Sequence, residues 1–274
     1  MIPDHFNDQL APLPAMMAAA AVTTTLRVGG LVLDNDYKHP VVLAKELATL
    51  DVLSGGRLEL GIGAGWMESD YRQAGMTYDP PGVRILRLQE GLKVIKGLFA
   101  DEKLEFDGQF YNVHLNGTPK PVQKPHPPIL IGGGGKRVLK YAAREADIVG
   151  VNFILTEGVV NAAVMANGTP DATREKIRWI REGAGARFDE LELNVTIFAT
   201  MVTNDSAGLA ERLAPRFAST PKELPHAPHV LLGSVDEIVD ELQRRRDEFG
   251  FSYFAIAGDG FEAFAPVVKK LAGT

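Results

Sequence analysis

Apolar residues in this chain fall into short continuous runs separated by longer stretches with helical spacing. The runs Leu26–Leu33, Arg57–Gly63, Ile129–Ile131, Ile148–Val151, Leu191–Val202 and Phe251–Ala257 read as strands. Their bodies are continuous rather than alternating, the mark of strands buried on both faces. Between them the spacing predicts helices. Pro14–Val22 is a good helix former by propensity, and Pro40 opens a helix through Leu53 with proline at a first-turn position. Met67–Gln73 reads as a short helix. Val83–Phe99 is longer and amphipathic, with Val83, Leu86, Leu88, Leu92, Ile95 and Leu98 at apolar positions. Further helices are predicted after Gly135, from Asp171 as cap to Phe188, over Asp205–Ala218 and over Phe261–Leu271. Another spans Ser234–Phe249, with Ser234 and Glu237 as a capping box. Leu104–Val113 departs from this rhythm: it alternates around Asp107-Gly108 and reads as a hairpin.

Alternation of strand and helix predicts an α/β fold, a parallel sheet covered by helices. Polar residues and glycines gather after several different strands: Asp34-Asn35, Gly63-Ala64-Gly65, Gly132–Gly135, Asn152 and Gly258-Asp259. Barrel enzymes carry their active sites at strand C-terminal ends, so a TIM (β/α)8-type barrel is preferred over an open sheet. About seven strands are predicted, near the eight of such a barrel. The opening Met1–Phe6 resembles the last residues of a strand running into a loop. The expected organisation is a single domain over residues 1–274, with lid insertions near 156–170 and 219–229.

The glycine run PILIGGGGKRVLK places four glycines where a strand enters a helix. Such a turn lets backbone approach a ligand, and the free N–H groups of a helix start favour an anion such as phosphate. The alternative is a tight turn needing positive φ, with no ligand. Two familiar motifs are excluded. Lys136 is followed by Arg137 rather than Ser or Thr, so this is no P-loop. Counted from Gly132, the last glycine of a dinucleotide fingerprint would fall on Arg137.

Composition narrows the classes. The 274 residues are 45% hydrophobic and 23% charged, an ordinary globular balance. A formal net charge of -6 speaks against nucleic acid as a partner. Cysteine is absent, which removes disulfides, thiolate metal sites and cysteine nucleophiles. The N-terminus has neither a basic region nor a long apolar one, and Ala11–Val22 is too short to span a bilayer. No membrane association and a cytoplasmic location are therefore expected. His226 and His229 lie in a proline-rich loop without suitably spaced carboxylates, so no metal is expected there. Asp51 and Arg57 read as a structural ion pair, and His39, at a helix start, as structural or at a cofactor rim rather than catalytic.

Several motifs in order resemble one family. They are Ile2-Pro3-Asp4-His5-Phe6, Asn35-Asp36-Tyr37-Lys38-His39-Pro40, Leu50-Asp51 with Leu53-Ser54-Gly55-Gly56-Arg57-Leu58, Gly61 with Gly63-Ala64-Gly65-Trp66, and Ile131–Gly135. Together they resemble the bacterial luciferase-like monooxygenase superfamily, most closely its coenzyme F420-dependent oxidoreductase branch. The resemblance implies a barrel that binds FMN or F420 at the strand C-terminal ends. It also implies that this chain begins after the family's first strand and helix.

The site residues implied by the resemblance are these. Gly133, Gly134 and Gly135 hold the flavin phosphate. A cis non-proline peptide behind the ring falls near Leu31–Val32. Asp4 and His5 lie near the flavin, with His5 as proton donor or acceptor, since histidine titrates near neutrality. Ala64, Gly65 and Trp66 lie along the cofactor. The family's sugar-phosphate dehydrogenases have glutamate where Trp66 stands, so a more apolar acceptor is implied. The function expected is hydride transfer between reduced coenzyme F420 and a small organic substrate, in a homodimer. An FMN-dependent monooxygenase is the alternative, and a non-catalytic flavin-binding protein a second one.

Overall fold

The structure is a computed structural model that describes residues 1–155, 157–258 and 260–273. Thr156, the first residue of the expected loop 156–170, and Asp259, named at the last strand end, lie outside the described residues. The chain divides into two compact units, residues 1–132 with 157–159, and residues 133–155 with 160–273.

The first unit is built on parallel strands β1 (Val28–Gly29), β2 (Leu33–Asp34), β3 (Leu58–Gly63) and β6 (Ile129–Gly133, which ends at the unit boundary). β3 is central. It pairs with β1 (Val28 beside Leu58), β2 (Leu33 beside Ile62) and β6 (Leu60 beside Ile129). All six of its residues are buried, as its continuous apolar body implies. The opening residues add a further rung, Ile2 N–H donating to Gly29 O and Leu31 N–H to Ile2 O, both at 2.9 Å. Helices α1 (Pro12–Ala21), α2 (Pro40–Ser54) and α4 (Pro81–Phe99) all carry proline in the first turn. Leu43, Leu47, Leu88, Leu92 and Ile95 bury the facing sides of α2 and α4. The short α3 (Glu68–Gln73) follows β3, and the hairpin β4 (Leu104–Asp107) and β5 (Asn112–Leu115) follows α4. Its loop is fastened by Glu90, which accepts from Gln109 and Phe110 N–H at 2.8 Å each.

In the second unit β7 (Ile148–Val151) pairs in parallel with β8 (Glu192–Ile197), and β8 with β11 (Phe251–Ile256). β9 (Ala199–Val202) and β10 (Val230–Gly233) form a separate parallel pair. The helices are α5 (Lys136–Glu145), α6 (Ala162–Ala166), α7 (Pro170–Ala184), α8 (Ser206–Leu213), α9 (Val235–Phe249) and α10 (Phe261–Leu271).

Local chemistry accounts for the departures from the sequence reading. Leu26–Leu33 is two short strands, broken where the Leu31–Val32 peptide is cis, the position the resemblance implies. Leu191–Val202 splits at Phe198, whose N–H turns to His229 O (2.9 Å) so that Ala199 onward pairs with β10. β10 itself was hidden as four apolar residues between a loop and a helix cap. Asp171 is not the cap of α7: Thr169 Oγ1 accepts from Ala172 N–H (3.2 Å), with Pro170 and Asp171 in the first turn. The capping box at Ser234 and Glu237 is present. Asp51 and Arg57 do not pair. Asp51 accepts from Val122 N–H, Gln123 N–H and the Gln123 amide, while Arg57 donates to the Ala20, Leu26 and Ser54 carbonyls. Each side chain is taken up by backbone and amide groups packed against it, so neither is left for the other.

Candidate active site

At the strand C-terminal ends of the first unit, four carboxylates, two tyrosines and a histidine interlock. Asp34 ends β2 and caps the turn that follows, accepting from Asp36 N–H at 2.9 Å. It also accepts from the Tyr71 hydroxyl at 3.1 and 3.0 Å, and its own N–H donates to Asp4 Oδ2 at 3.1 Å. Burial pushes the Asp34 carboxyl up to about 7, more than its hydrogen bonds to Asp36 N–H and Tyr71 pull it down. Burial likewise raises Asp4. Burial first, then the neighbouring carboxylates, holds the Tyr71 and Tyr37 hydroxyls far above their ordinary range, so both remain protonated donors.

His5 belongs to the same cluster. Its Nδ1 lies 2.7 Å from Asp70 Oδ2, and the Tyr37 hydroxyl donates to that oxygen at 3.2 Å. Because the carboxylate accepts, Nδ1 carries the hydrogen and Nε2 is left as the acceptor nitrogen. Asp70 is buried on α3 while the His5 side chain is 19% exposed, so the imidazole is oriented from beneath and reachable from outside. Trp66 meets His5 edge-on with centroids 5.6 Å apart. Its carbonyl accepts from the Tyr78 hydroxyl (2.8 Å), and Tyr71 packs on Tyr37 and Tyr78. Gly65, at φ +72°, lets this chain pass: a Cβ there would sit 1.9 Å from the Tyr71 hydroxyl. Ala64 beside it is half-buried. Val32 packs beneath Gly63 and Gly132, where an added Cβ would meet it at 2.7 and 3.1 Å.

An open cleft of about 610 Å³ flanks the cluster, lined by Asp36, Lys38, His39, Asp79, Arg87 and Tyr111 among others. Its charges are already matched: Arg87 pairs with Asp36 and Asp79, and Lys38 with Glu46. His39 caps α2 through Val41 N–H.

In the second unit β6 runs on through Gly133, and Gly135 is the N-cap of α5. None of the four glycines has positive φ, so the turn does not require them for that reason. Close packing requires two of them. A Cβ on Gly133 would stand 2.4 Å from Val138 Cγ1, and one on Gly134 2.1 Å from Phe153 O. At Gly135 it would meet nothing within 4 Å. The start of α5 has no side-chain cap, whereas α6, α7, α8 and α9 are capped by Asn161, Thr169, Asp205 and Ser234. The start of α10 is uncapped too; what α5 adds is Gly135, beside which there is space, so its first-turn N–H groups fit a phosphate. Lys136 and Arg137 beside it are exposed.

Behind this turn Lys176, 1% exposed, donates to Asn152 O (2.8 Å), Asn167 O (2.9 Å) and Asn167 Oδ1 (3.3 Å). Burial lowers its ammonium to about 8. The rings of Phe153, Phe198 and His229 gather at the ends of β7 and β8, with centroids 4.2 to 5.7 Å apart. His229 is buried, donates from Nδ1 to Thr196 O (2.8 Å), and is held neutral by burial, near 3. His226 pairs with Glu241 at the surface. Among the described residues no group of three or more His, Cys, Asp or Glu could hold a metal ion. Nor is any helix long and apolar enough to cross a membrane.

Sequence reasoning named Asp34 and Tyr37 without giving them a role, and missed Asp70, Tyr71 and Lys176. Asp70 carried a signal, four residues after Trp66 on a predicted helix. Lys176 carried a fainter one: with Thr173, Ile177 and Ile180 it lies on the buried stripe of α7.

Parallel strands with polar clusters at their C-terminal ends, one holding a carboxylate-oriented histidine, define a βα enzyme fold. The family model described as "Luciferase-like monooxygenase" matches residues 1–250, and the chain belongs to that family. An uncharacterised protein of Mycobacterium tuberculosis is 32% identical over 231 residues, 78% of this chain and 79% of that one. The F420-dependent glucose-6-phosphate dehydrogenase of Kineococcus radiotolerans is 34% identical over 165 residues, 57% of this chain and 47% of the enzyme. The FMNH(2)-dependent dimethylsulfone monooxygenase of Pseudomonas putida is 31% identical over 158 residues, 55% and 43% respectively. In fold the chain is similar to coenzyme F420-dependent tetrahydromethanopterin reductase from Methanopyrus kandleri. The TM-score is 0.75 at 18% identity, covering 97% of this chain and 88% of that one. The luciferase-like α/β fold and the family resemblance read from the motifs are thus both borne out.

Proposed function

We propose that this chain is an F420-dependent oxidoreductase that moves a hydride between the deazaflavin and a small organic substrate, with His5 moving the accompanying proton. The observation that carries the reading is the His5–Asp70 pair, 2.7 Å apart, beside Trp66. When bound, the cofactor supplies a ring carbon that releases or accepts the hydride. Asp70 fixes the tautomer of His5, so Nε2 is the atom that takes or gives a proton. Tyr37, protonated throughout the working range, steadies the Asp70 oxygen that His5 uses.

The open, uncapped start of α5 supports Gly133, Gly134 and Gly135 as the phosphate holders. Leu31, Val32, Ala64, Gly65, Trp66 and Asp4 are the proposed cofactor-side residues of the first unit. Asp4 acts there through its bond to Asp34 N–H. Trp66 in place of a charged residue supports an acceptor with an apolar body rather than a sugar phosphate.

Similarity to the Pseudomonas putida FMNH(2)-dependent enzyme favours a second reading, oxygen-using chemistry with reduced FMN. Titration of the purified protein with F420 and with FMN separates the two. Micromolar binding of F420 is expected, and micromolar FMN binding with none for F420 would overturn the choice. A His5→Ala variant that keeps cofactor affinity but loses hydride transfer is the expected signature of catalysis. Unchanged turnover would remove His5 from the mechanism.

A further inference from the structure

We infer that Lys176 is a positioning residue for the anion-binding turn at the start of α5, acting through the backbone of residues 152–154. The inference rests on the proposed phosphate site.

Lys176 stands on α7 with its amine buried, and among the described residues none of its hydrogen-bond partners is a carboxylate. A buried ammonium without a counter-ion is costly, and it persists where its hydrogen bonds do something a neutral side chain could not. Here all three go to two residues, Asn152 O and both oxygens of Asn167. The Asn167 side chain in turn binds Ile154 at both ends, accepting from its N–H (2.8 Å) and donating to its carbonyl (3.4 Å). Asn152 Oδ1 accepts from Phe153 N–H at 2.7 Å. Residues 152–154 are thereby fixed as a rigid shelf at the end of β7.

The glycine turn rests on that shelf. Asn152 N–H donates to Gly133 O at 2.9 Å. A Cβ on Gly134 would lie 2.1 Å from Phe153 O and 2.6 Å from Asn152 O, so backbone meets backbone with no side chain between. The conformation that points the first N–H groups of α5 outward is therefore set by where the carbonyls of Asn152 and Phe153 lie. Lys176 holds the first of those carbonyls directly. Ordinary core packing would leave the shelf free to shift by fractions of an ångström. Three bonds from one ammonium do not.

The test measures what the phosphate group adds to binding. Dissociation constants are taken for FMN against riboflavin, and for F420 against its phosphate-free deazaflavin riboside. Wild type, Lys176→Met and Asn167→Ala are compared after each variant's folding is verified by circular dichroism. In the variants the phosphate-bearing ligands are expected to weaken by about tenfold, the low end for losing a residue that orients binding groups. The phosphate-free ligands should keep their wild-type affinity. Lys176→Arg, which retains the charge and donors, should recover part of the loss. Equal weakening of both members of a pair, or of neither, would overturn the inference. If Lys176→Met does not fold, Asn167→Ala decides by the same comparison. Failure of the underlying reading looks different: wild type itself would then bind phosphate-bearing and phosphate-free forms alike.

Discussion

Asp34→Asn should make the protein more stable than wild type at neutral and alkaline pH, and the gain should vanish in acid. Asp34 is 7% exposed, and burial displaces its carboxyl from 3.8 to about 7 in the folded state. At about 1.4 kcal/mol per pH unit, keeping it ionised when folded costs about 4 kcal/mol, an upper figure because buried sites relax. The sign follows from proton binding. Between the unfolded and folded values the folded state holds more protons, so wild-type stability declines as pH rises through roughly 4 to 7 and is level above. Asparagine never ionises and removes that decline. Its Oδ1 still accepts from Asp36 N–H and Tyr71, the bonds Asp34 makes now. Urea unfolding followed by Trp66 fluorescence, in a Trp179→Phe background, reports the unit that contains Asp34. The difference in unfolding free energy between variant and wild type should climb by several kcal/mol from pH 4 to pH 8. A difference that is flat with pH would refute the assignment of a raised carboxyl, however stable either protein proved.

Asp70→Asn removes the acceptor that orients His5, and should lower kcat about tenfold to a hundredfold while the cofactor dissociation constant stays near wild type. Combined with His5→Ala it should cost little more than His5→Ala alone, because the two act as one unit; stopped-flow hydride transfer checks both. Gly65→Ala forces a Cβ into the Tyr71 hydroxyl at φ +72° and should cost about 2–4 kcal/mol, read as a drop in Tm. Arg245, fully buried, donates to the carbonyls of Ala227, Pro228 and Val230 and pairs with Glu241. Arg245→Met should cost about 3–5 kcal/mol and open residues 219–229 to limited proteolysis, whereas unchanged protection would mean that this loop is held by other contacts.

Much of the fold was legible because buried parallel strands announce themselves. Arg57–Gly63 and Ile148–Val151 stand within a residue of β3 and β7, and Pro40 marked the start of α2. What was not legible depended on partners distant in sequence. Nothing local says that Leu191–Val202 must divide at Phe198, since the division follows from His229 O reaching the Phe198 N–H. Nor could Asp51 and Arg57 be denied a mutual ion pair before Gln123 and the Ala20 and Leu26 carbonyls were in place.

The candidate site divides along the same line. His5 and Trp66 were found because they sit in a motif, yet the group that orients the His5 ring is Asp70, 65 residues away. The glycines carry the sharper lesson. Four in a row looked like more than any turn needs, and a ligand was the natural explanation for the excess. Yet two of them, Gly133 and Gly134, are needed because Val138 and the Phe153 carbonyl occupy the space a side chain would take. Only Gly135 opens on nothing. Glycine count is therefore poor support for an anion site here, and the uncapped start of α5 is better support. Capping residues would have satisfied those N–H groups, as they do on α6 through α9. Where they are missing, as on α5, the first-turn N–H groups are left to water or to a ligand. That argument depends on the backbone holding its course through residues 133–135, which brings the burden back to Asn152, Phe153 and the buried ammonium of Lys176 behind them.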